Sequence, residues 1–229
     1  SGVTVNAVLE KSGDVDVYSL QLSAGQTLVA SVVANQQLGS PMDGVLELLD
    51  DQGVVVVSND DDHGMDPLVA WDVPQDGTYY LRVYAFPATP NSTIRLAGGG
   101  DYVYRLTAAT GPVISHTLPA AVPRESDTVL AAHGWNLSDD AAQISIAATS
   151  DPSVLLTDGL ALSHTVATVP YASYSEVDVP GDGLPVPAAA SGIIAVDDEV
   201  DRWTISGTKG QQLSIRVDAR KLHSLLDPV

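Results

Sequence analysis

Short runs in which apolar and polar residues alternate set the fold of this chain before anything else does. Asp16, Tyr18, Leu20 and Leu22 alternate with Val17, Ser19 and Gln21. A period of two sends successive side chains to opposite faces, which is the signature of a half-buried strand. Ala24-Gly25-Gln26 turns the chain, and Leu28, Ala30, Val32 and Ala34 begin a second run. The stretches 45–50 and 54–58 flank Asp51-Gln52-Gly53 and read as a hairpin. Asp76-Gly77 precedes Thr78-Tyr79-Tyr80-Leu81-Arg82-Val83-Tyr84, with Tyr79, Leu81 and Val83 on one face, and 102–107 supplies a further strand. No 3.6-residue amphipathic pattern of useful length interrupts them. The expected class is therefore all-β: an antiparallel β-sandwich followed by an immunoglobulin-like β-sandwich and a partial third β module.

Punctuation places the divisions. Ala109-Thr110-Gly111-Pro112 separates the first strands from a second group at 113–116, 128–133, 143–148 and 165–169. Gly134-Trp135-Asn136-Leu137 sits within that group, and three prolines stiffen Pro180-Gly181-Asp182-Gly183-Leu184-Pro185-Val186-Pro187 into an expected linker. The segments anticipated are thus 1–110, 111–185 and 186–229.

Charge excludes whole classes of function. The 229 residues hold 10 Lys+Arg against 29 Asp+Glu, for a formal net charge of -19. A nucleic-acid binder needs a basic face to displace counterions, and an anionic membrane surface would repel this chain. No apolar run reaches the ~20 residues that span a bilayer. Without cysteine there is no disulfide framework and no thiolate metal site. The acidity is local: residues 1–185 contain 23 acidic and 5 basic side chains, whereas 186–229 contain 6 and 5. The opening Ser1-Gly2-Val3 shows no basic or apolar leader pattern, which reads as a processed or cut start.

The chain repeats itself. Val15-Asp16-Val17-Tyr18-Ser19-Leu20 matches Val200-Asp201-Arg202-Trp203-Thr204-Ile205, and Gly25-Gln26-Thr27-Leu28 matches Gly210-Gln211-Gln212-Leu213, both at an offset of 185. One residue less brings Leu38, Ser40, Asp43 and Val45 onto Leu222, Ser224, Asp227 and Val229. The second copy holds two or three strands, too few for an independent sheet. The expectation is a module continued in a longer protein, with 190–229 leaning on the middle region, pairing with another molecule or remaining loose.

In combination, several motifs resemble the bacterial pre-peptidase C-terminal domain family. They are Gly13-Asp14-Val15-Asp16-Val17-Tyr18, Ala24-Gly25-Gln26, Leu38-Gly39-Ser40-Pro41-Met42-Asp43, Leu48-Leu49-Asp50-Asp51-Gln52-Gly53, Ser58-Asn59-Asp60-Asp61 and Asp76-Gly77-Thr78-Tyr79-Tyr80-Leu81-Arg82-Val83. The likeness covers about 3–108 and, in part, 190–229. Gly111-Pro112-Val113-Ile114 and Gly134-Trp135-Asn136-Leu137 are similar to the immunoglobulin-like IPT/TIG modules. The first resemblance implies a non-catalytic, jelly-roll-like β-sandwich appended to secreted bacterial enzymes, often peptidases, some relatives of which bind calcium and collagen. A repeated module at the front of the chain looks like part of a large secreted or cell-surface protein.

The acidic residues form one constellation. A hairpin centred near Asp51-Gln52 pairs residue i with about 103 minus i, which sets Asp43 opposite Asp60 and gathers Asn59, Asp61 and Asp62 at the same open end, with Asp66 and His63 nearby. Carboxylates ~4 Å apart repel by about 1 kcal/mol in water and about 4 at an effective dielectric of 20. Solvent, protonation or a cation must relieve that repulsion. Ca2+ suits the oxygen-rich set Asp43, Asn59, Asp60, Asp61 and Asp62, because it accepts 6–8 oxygens in tolerant geometry. An ordinary solvated Asp-rich turn is the alternative. Asp16 and Asp201 read either as further ligands or as acceptors of structural hydrogen bonds, and Tyr79 as a loop-tying tyrosine corner.

Catalytic templates are missing: there is no Gly-x-Ser-x-Gly, no His-Glu-x-x-His and no phosphate loop. Gly98-Gly99-Gly100 reads as a flexible loop. A carboxylate pair such as Asp43/Asp60 leaves hydrolysis as a remote reading. Two non-enzymatic functions remain. One is an extracellular segment that spaces or anchors other domains of the same polypeptide. The other is a binder of an extracellular protein or polysaccharide such as collagen, which needs aromatic platforms, with Tyr171 and Tyr174 as candidates.

Overall fold

The computed structural model describes residues 2–62, 64–87 and 95–219, with isolated positions at 222, 224 and 226. The chain divides into two compact units, residues 1–112 with 219–229 and residues 113–218.

Every strand anticipated in the first unit forms. The unit comprises β1 (Gly2–Val8), β2 (Asp16–Leu22), β3 (Thr27–Val33), the single-turn α1 (Asn35–Leu38), β4 (Met42–Leu49), β5 (Val55–Asn59), β6 (Leu68–Asp72), β7 (Gly77–Pro87) and β8 (Val103–Ala109). Of these, β1 and β6 are not marked out by the alternation above. Their pairing accounts for them: each closes an edge of the sheet β1-β8-β3-β6, where neighbours decide strand formation more than propensity does. The second sheet runs β2-β7-β4-β5, and all of these pairs are antiparallel.

The period of two becomes burial. In β7, Tyr79, Leu81, Val83 and Ala85 point inward, while the residues between them stay partly exposed. Leu46, Leu48, Leu81 and Val83 from one sheet join Leu28, Ala30, Val32, Tyr104 and Leu106 from the other in a single core. Burying one such side chain contributes about 1.5–3 kcal/mol. The result is the β-sandwich expected from the sequence.

In the second unit, β9 (Val113–Leu118), β10 (Ala121–Pro123), β11 (Thr128–Trp135), β12 (Gln143–Ile146), β13 (Ser153–Leu156), β14 (His164–Val169), β15 (Ser173–Ser175) and β16 (Ala189–Ser191) form sheets ordered β12-β11-β9 and β10-β14-β13, plus the pair β15-β16. Val122, Leu130, Ile146 and Val166 make its core. Two pairings, β10 with β14 and β15 with β16, are parallel. The expected linker is built into this unit. Gly183 donates to the Pro180 carbonyl at 2.8 Å, Leu184 donates to the Thr204 carbonyl at 2.8 Å, and Leu184 bridges Ile205.

The repeat is structural at its turn. Gly25 and Gly210 take left-handed φ values of 82° and 88°. The Ser23 amide donates to Gln26 Oε1 at 2.8 Å, and the Thr208 amide to Gln211 Oε1 at 3.0 Å. The flanks differ. Leu28, Ala30 and Val32 are buried because β3 lies between β6 and β8, whereas Leu213, Ile215 and Val217 are exposed. Among the described residues of 200–217 the only pairing is the bridge at Ile205. Alternation without a neighbouring ladder does not make a strand. Asp227 and Val229 lie outside the described residues.

Candidate functional site

The acidic rim is assembled by the β4–β5 hairpin, but in a register two residues away from the simple expectation. Leu46 faces Asn59, Glu47 faces Ser58 and Leu48 faces Val57, then the register shifts so that Leu49 faces Val55. Two causes add. Asp50 Oδ1 accepts the amides of Gln52 and Val54 at 3.0 and 2.8 Å, and Asp50 donates to the Val54 carbonyl at 2.9 Å, so the turn centres on Gln52. Gly53 there has φ 80°. A bulge at Val56 then adds one residue to β5. Asp43 therefore does not face Asp60; its cross-strand partner is Phe86 of β7, and β5 ends at Asn59.

The carboxylates still share a rim. The pKa of Asp43 is raised first by burial, then by the negative charges of Asp61 and Asp60. The Asn59 side chain is engaged elsewhere, since its Oδ1 accepts the Leu68 amide at 3.2 Å and holds the start of β6. The Asp62 amide donates to the Asp66 carbonyl at 3.3 Å. Asp66 turns inward, is 3% exposed, and accepts the Asn35 and Gln36 amides at 2.7 and 3.1 Å, which caps α1. His63 lies outside the described residues. Among the described residues no three acidic or histidine side chains converge on one point.

A raised carboxylate pKa has a definite linkage sign. The folded state binds the Asp43 proton more tightly than the unfolded chain does. Ionised Asp43 thus costs stability above its folded pKa, and the cost vanishes below the unfolded value. In metal-free buffer, Asp43→Asn is expected to raise the melting temperature at pH 7 by the equivalent of less than about 1 kcal/mol, since solvent screens the rim. The gain should fade as pH falls through the carboxylate range. Thermal melts across pH check this, and a loss of stability at pH 7 would contradict it.

The outward face of the same sheet is aromatic. Because Tyr79, Leu81 and Val83 point inward, Tyr80, Arg82, Tyr84 and Phe86 point outward from β7. Tyr84 and Phe86 meet edge to face with centroids 5.8 Å apart. Arg82 Nε donates to Glu47 Oε2 at 2.5 Å, and the Tyr84 hydroxyl donates to Glu47 Oε1 at 3.2 Å. Burial, then the Glu47 charge, raises the Tyr84 pKa. Sequence reading missed this row although the period that buries Tyr79 implies it. The aromatic candidates Tyr171 and Tyr174 lie elsewhere: Tyr171 is exposed just after β14, and Tyr174 is half-buried in β15.

Asp16, Tyr79 and the 98–100 loop have structural parts. Tyr104 donates its hydroxyl to Asp16, and the Tyr18 hydroxyl lies 2.6 Å from that of Tyr104, so Tyr18 donates to Tyr104 in a chain ending on the carboxylate. Burial, followed by the Asp16 hydrogen bond, raises the Tyr104 pKa. Tyr79 donates to the Gln75 carbonyl at 3.0 Å and ties its corner as expected. The 98–100 loop is packed rather than free: Gly99 donates to the Leu9 carbonyl at 2.8 Å, and Gly98 abuts the Lys11 backbone.

The first unit is thus a two-sheet β-sandwich with acidic residues after β5 and an aromatic row on the outward face of β7. Residues 14–85 match the family described as the bacterial pre-peptidase C-terminal domain, and that segment of the chain is such a domain. A probable subtilase-type serine protease of Deinococcus radiodurans is 37% identical over 76 residues, which is 33% of this chain and 10% of that protein. The similarity thus spans about a tenth of the relative's length. Among solved structures, the chain is similar to PliG of Aeromonas hydrophila, a periplasmic inhibitor of g-type lysozyme, with 16% identity, 47% of this chain, 84% of that chain and a TM-score of 0.34. It is also similar to the pre-peptidase C-terminal domain of a Bacillus anthracis collagenase, with 18% identity, 47% and 88% coverage and a TM-score of 0.34.

Proposed function

We propose that this chain is a non-catalytic accessory and spacer segment of a larger secreted or surface bacterial protein, stiffened by Ca2+ at the rim of its first sandwich. The match of residues 14–85 to the pre-peptidase C-terminal domain carries this reading. The charges of Asp61 and Asp60 act on Asp43, and Asp62 follows them in the chain. A cation there would remove the repulsion that, after burial, raises the Asp43 pKa, with carbonyl oxygens and water completing its shell. Asn59 is left out of the ligand set because its side chain holds β6. Other domains of the same polypeptide are the partners such a spacer serves.

Assay of the 229-residue chain against casein and against neutral polysaccharides tests the non-catalytic part. No turnover above buffer is expected, and turnover lost on Asp43→Asn would overturn it in favour of hydrolysis.

The outward row Tyr80, Arg82, Tyr84 and Phe86 supports a second reading, binding of an extracellular polymer, because aromatic side chains with one polar edge suit such surfaces. Tyr84→Ala should then weaken retention on insoluble collagen or polysaccharide. Equal retention of the variant and the natural chain would remove this reading and leave the spacer role intact.

A further inference from the structure

The outward face of the β2-β7-β4-β5 sheet repeats one arrangement and fills it only once. On β7, Arg82 lies between Tyr80 and Tyr84 on this face, and Glu47 of β4 stands directly opposite and holds its guanidinium. Further along, Tyr84 and Phe86 meet edge to face with centroids 5.8 Å apart, and Asp43 of β4 stands directly opposite Phe86. The second set has the aromatic rings and the facing carboxylate of the first, but no guanidinium. Asp60, exposed just past the end of β5, is close enough for its charge to act on Asp43 and on the Tyr84 hydroxyl. Among the described residues no basic side chain pairs with Asp43 or Asp60.

These groups select the chemistry of an occupant. Phe86 is 39% exposed, and Val17, opposite Arg82 on β2, is 56% exposed, so the face presents apolar surface as well as charge. A guanidinium or ammonium is drawn to an aromatic face and to a carboxylate together. Anionic polymers are repelled, and so is a second copy of this chain at its net charge of -19. The spacing selects a polypeptide. Alternate residues of a strand recur every ~6.8 Å, so the outward row of β7 matches in period the alternate side chains of another extended segment laid along it.

We propose that the outward face of β7 and β4 docks an extended basic segment of another protein, with an Arg or Lys side chain seated on Tyr84 and Phe86 against Asp43 and Asp60. The proposal rests on the polymer-binding reading of the same face and names its partner as a cationic polypeptide. Ca2+ competes for the two carboxylates but not for the rings.

The test is fluorescence anisotropy of a labelled peptide of alternating Arg and Thr, about 12 residues long, titrated with the 229-residue chain in EDTA and about 0.15 M NaCl. Saturable binding is expected, weakened at least about fivefold by Phe86→Ala and by Asp43→Asn combined with Asp60→Asn. Asp139→Asn combined with Asp140→Asn removes two exposed charges from the second unit and should change the affinity less than about twofold. A peptide with Gln in place of Arg should not bind. Asp43→Asn is expected to raise the melting temperature and Asp60 is exposed, so the carboxylate variant reports even if Phe86→Ala fails to fold. Equal weakening by the two carboxylate pairs would reduce the interaction to bulk charge and overturn the proposal, as would equal binding of the Gln peptide or no binding at all. Retention on insoluble polysaccharide that is lost in Phe86→Ala, without peptide binding, would overturn this partner and leave polymer binding by the face standing.

Discussion

Gly98→Ala is expected to destabilise residues 1–112 by at least about 3 kcal/mol. A Cβ at this position would lie 2.1 Å from the Lys11 carbonyl oxygen and 2.6 Å from its carbon. Both are backbone atoms, so no side-chain rotation relieves the clash. The backbone is also held from both sides. Leu9 donates to the Tyr102 carbonyl and Gly99 to the Leu9 carbonyl, while Gly13 and the Ser12 hydroxyl both donate to the Leu96 carbonyl. Relief would break this strap, which ties the β1–β2 connection to the segment entering β8. A melting temperature lower by more than about 10 °C in calorimetry is the expected reading. Gly100→Ala is the matched control, since nothing lies within 4 Å of a Cβ there. If the two variants melted together, the close approach at Gly98 would be refuted.

Arg82→Leu carries the next largest effect. Glu47 faces Arg82 directly across β4 and β7, and the side chains are 12% and 35% exposed respectively. Removing the guanidinium leaves a nearly buried carboxylate with the Tyr84 hydroxyl and little else. Fully buried pairs broken in this way cost about 3–5 kcal/mol, and the partial exposure of Arg82 reduces the expected loss to roughly 2–3 kcal/mol. The double variant Glu47→Leu, Arg82→Leu should recover most of it, because the uncompensated charge rather than the lost attraction is the main cost. Urea denaturation of both single variants and the double gives the coupling. A neutral Arg82→Leu would mean that water reaches Glu47.

Periodicity made the first sandwich legible. β2, β3, β4, β5, β7 and β8 all follow from alternation and from Gly- or Asp-marked turns, and Tyr79 takes the corner role its neighbours announce. Two kinds of information lay outside the hydrophobic pattern. The register of β4 against β5 depends on where the Asp50 side chain closes the turn and on a single bulged residue, and hydrophobic pattern specifies neither. The role of Asn59 depends on its side chain accepting the Leu68 amide at the start of the next strand. Glu47 is the instructive case. A charge inside Val45-Leu46-Glu47-Leu48-Leu49 looks like a solvent-facing position of the strand, yet Arg82 and Tyr84 nearly cover it. The flanks of the second repeat show the converse. Residues 210–211 rebuild the Gly-Gln turn from local bonds, but 213–217 gain no strand because a ladder needs neighbours.

The rim gives the most direct test of the accessory reading. Calorimetry of the 229-residue chain at neutral pH compares EDTA with about 5 mM CaCl2, for the natural sequence and for Asp43→Asn. Ligand at 100 times its dissociation constant stabilises the state it binds by about 2.7 kcal/mol. A calcium-dependent upward shift of roughly 10 °C in the natural chain, abolished in Asp43→Asn, is predicted. Superimposable transitions with and without Ca2+ would contradict it.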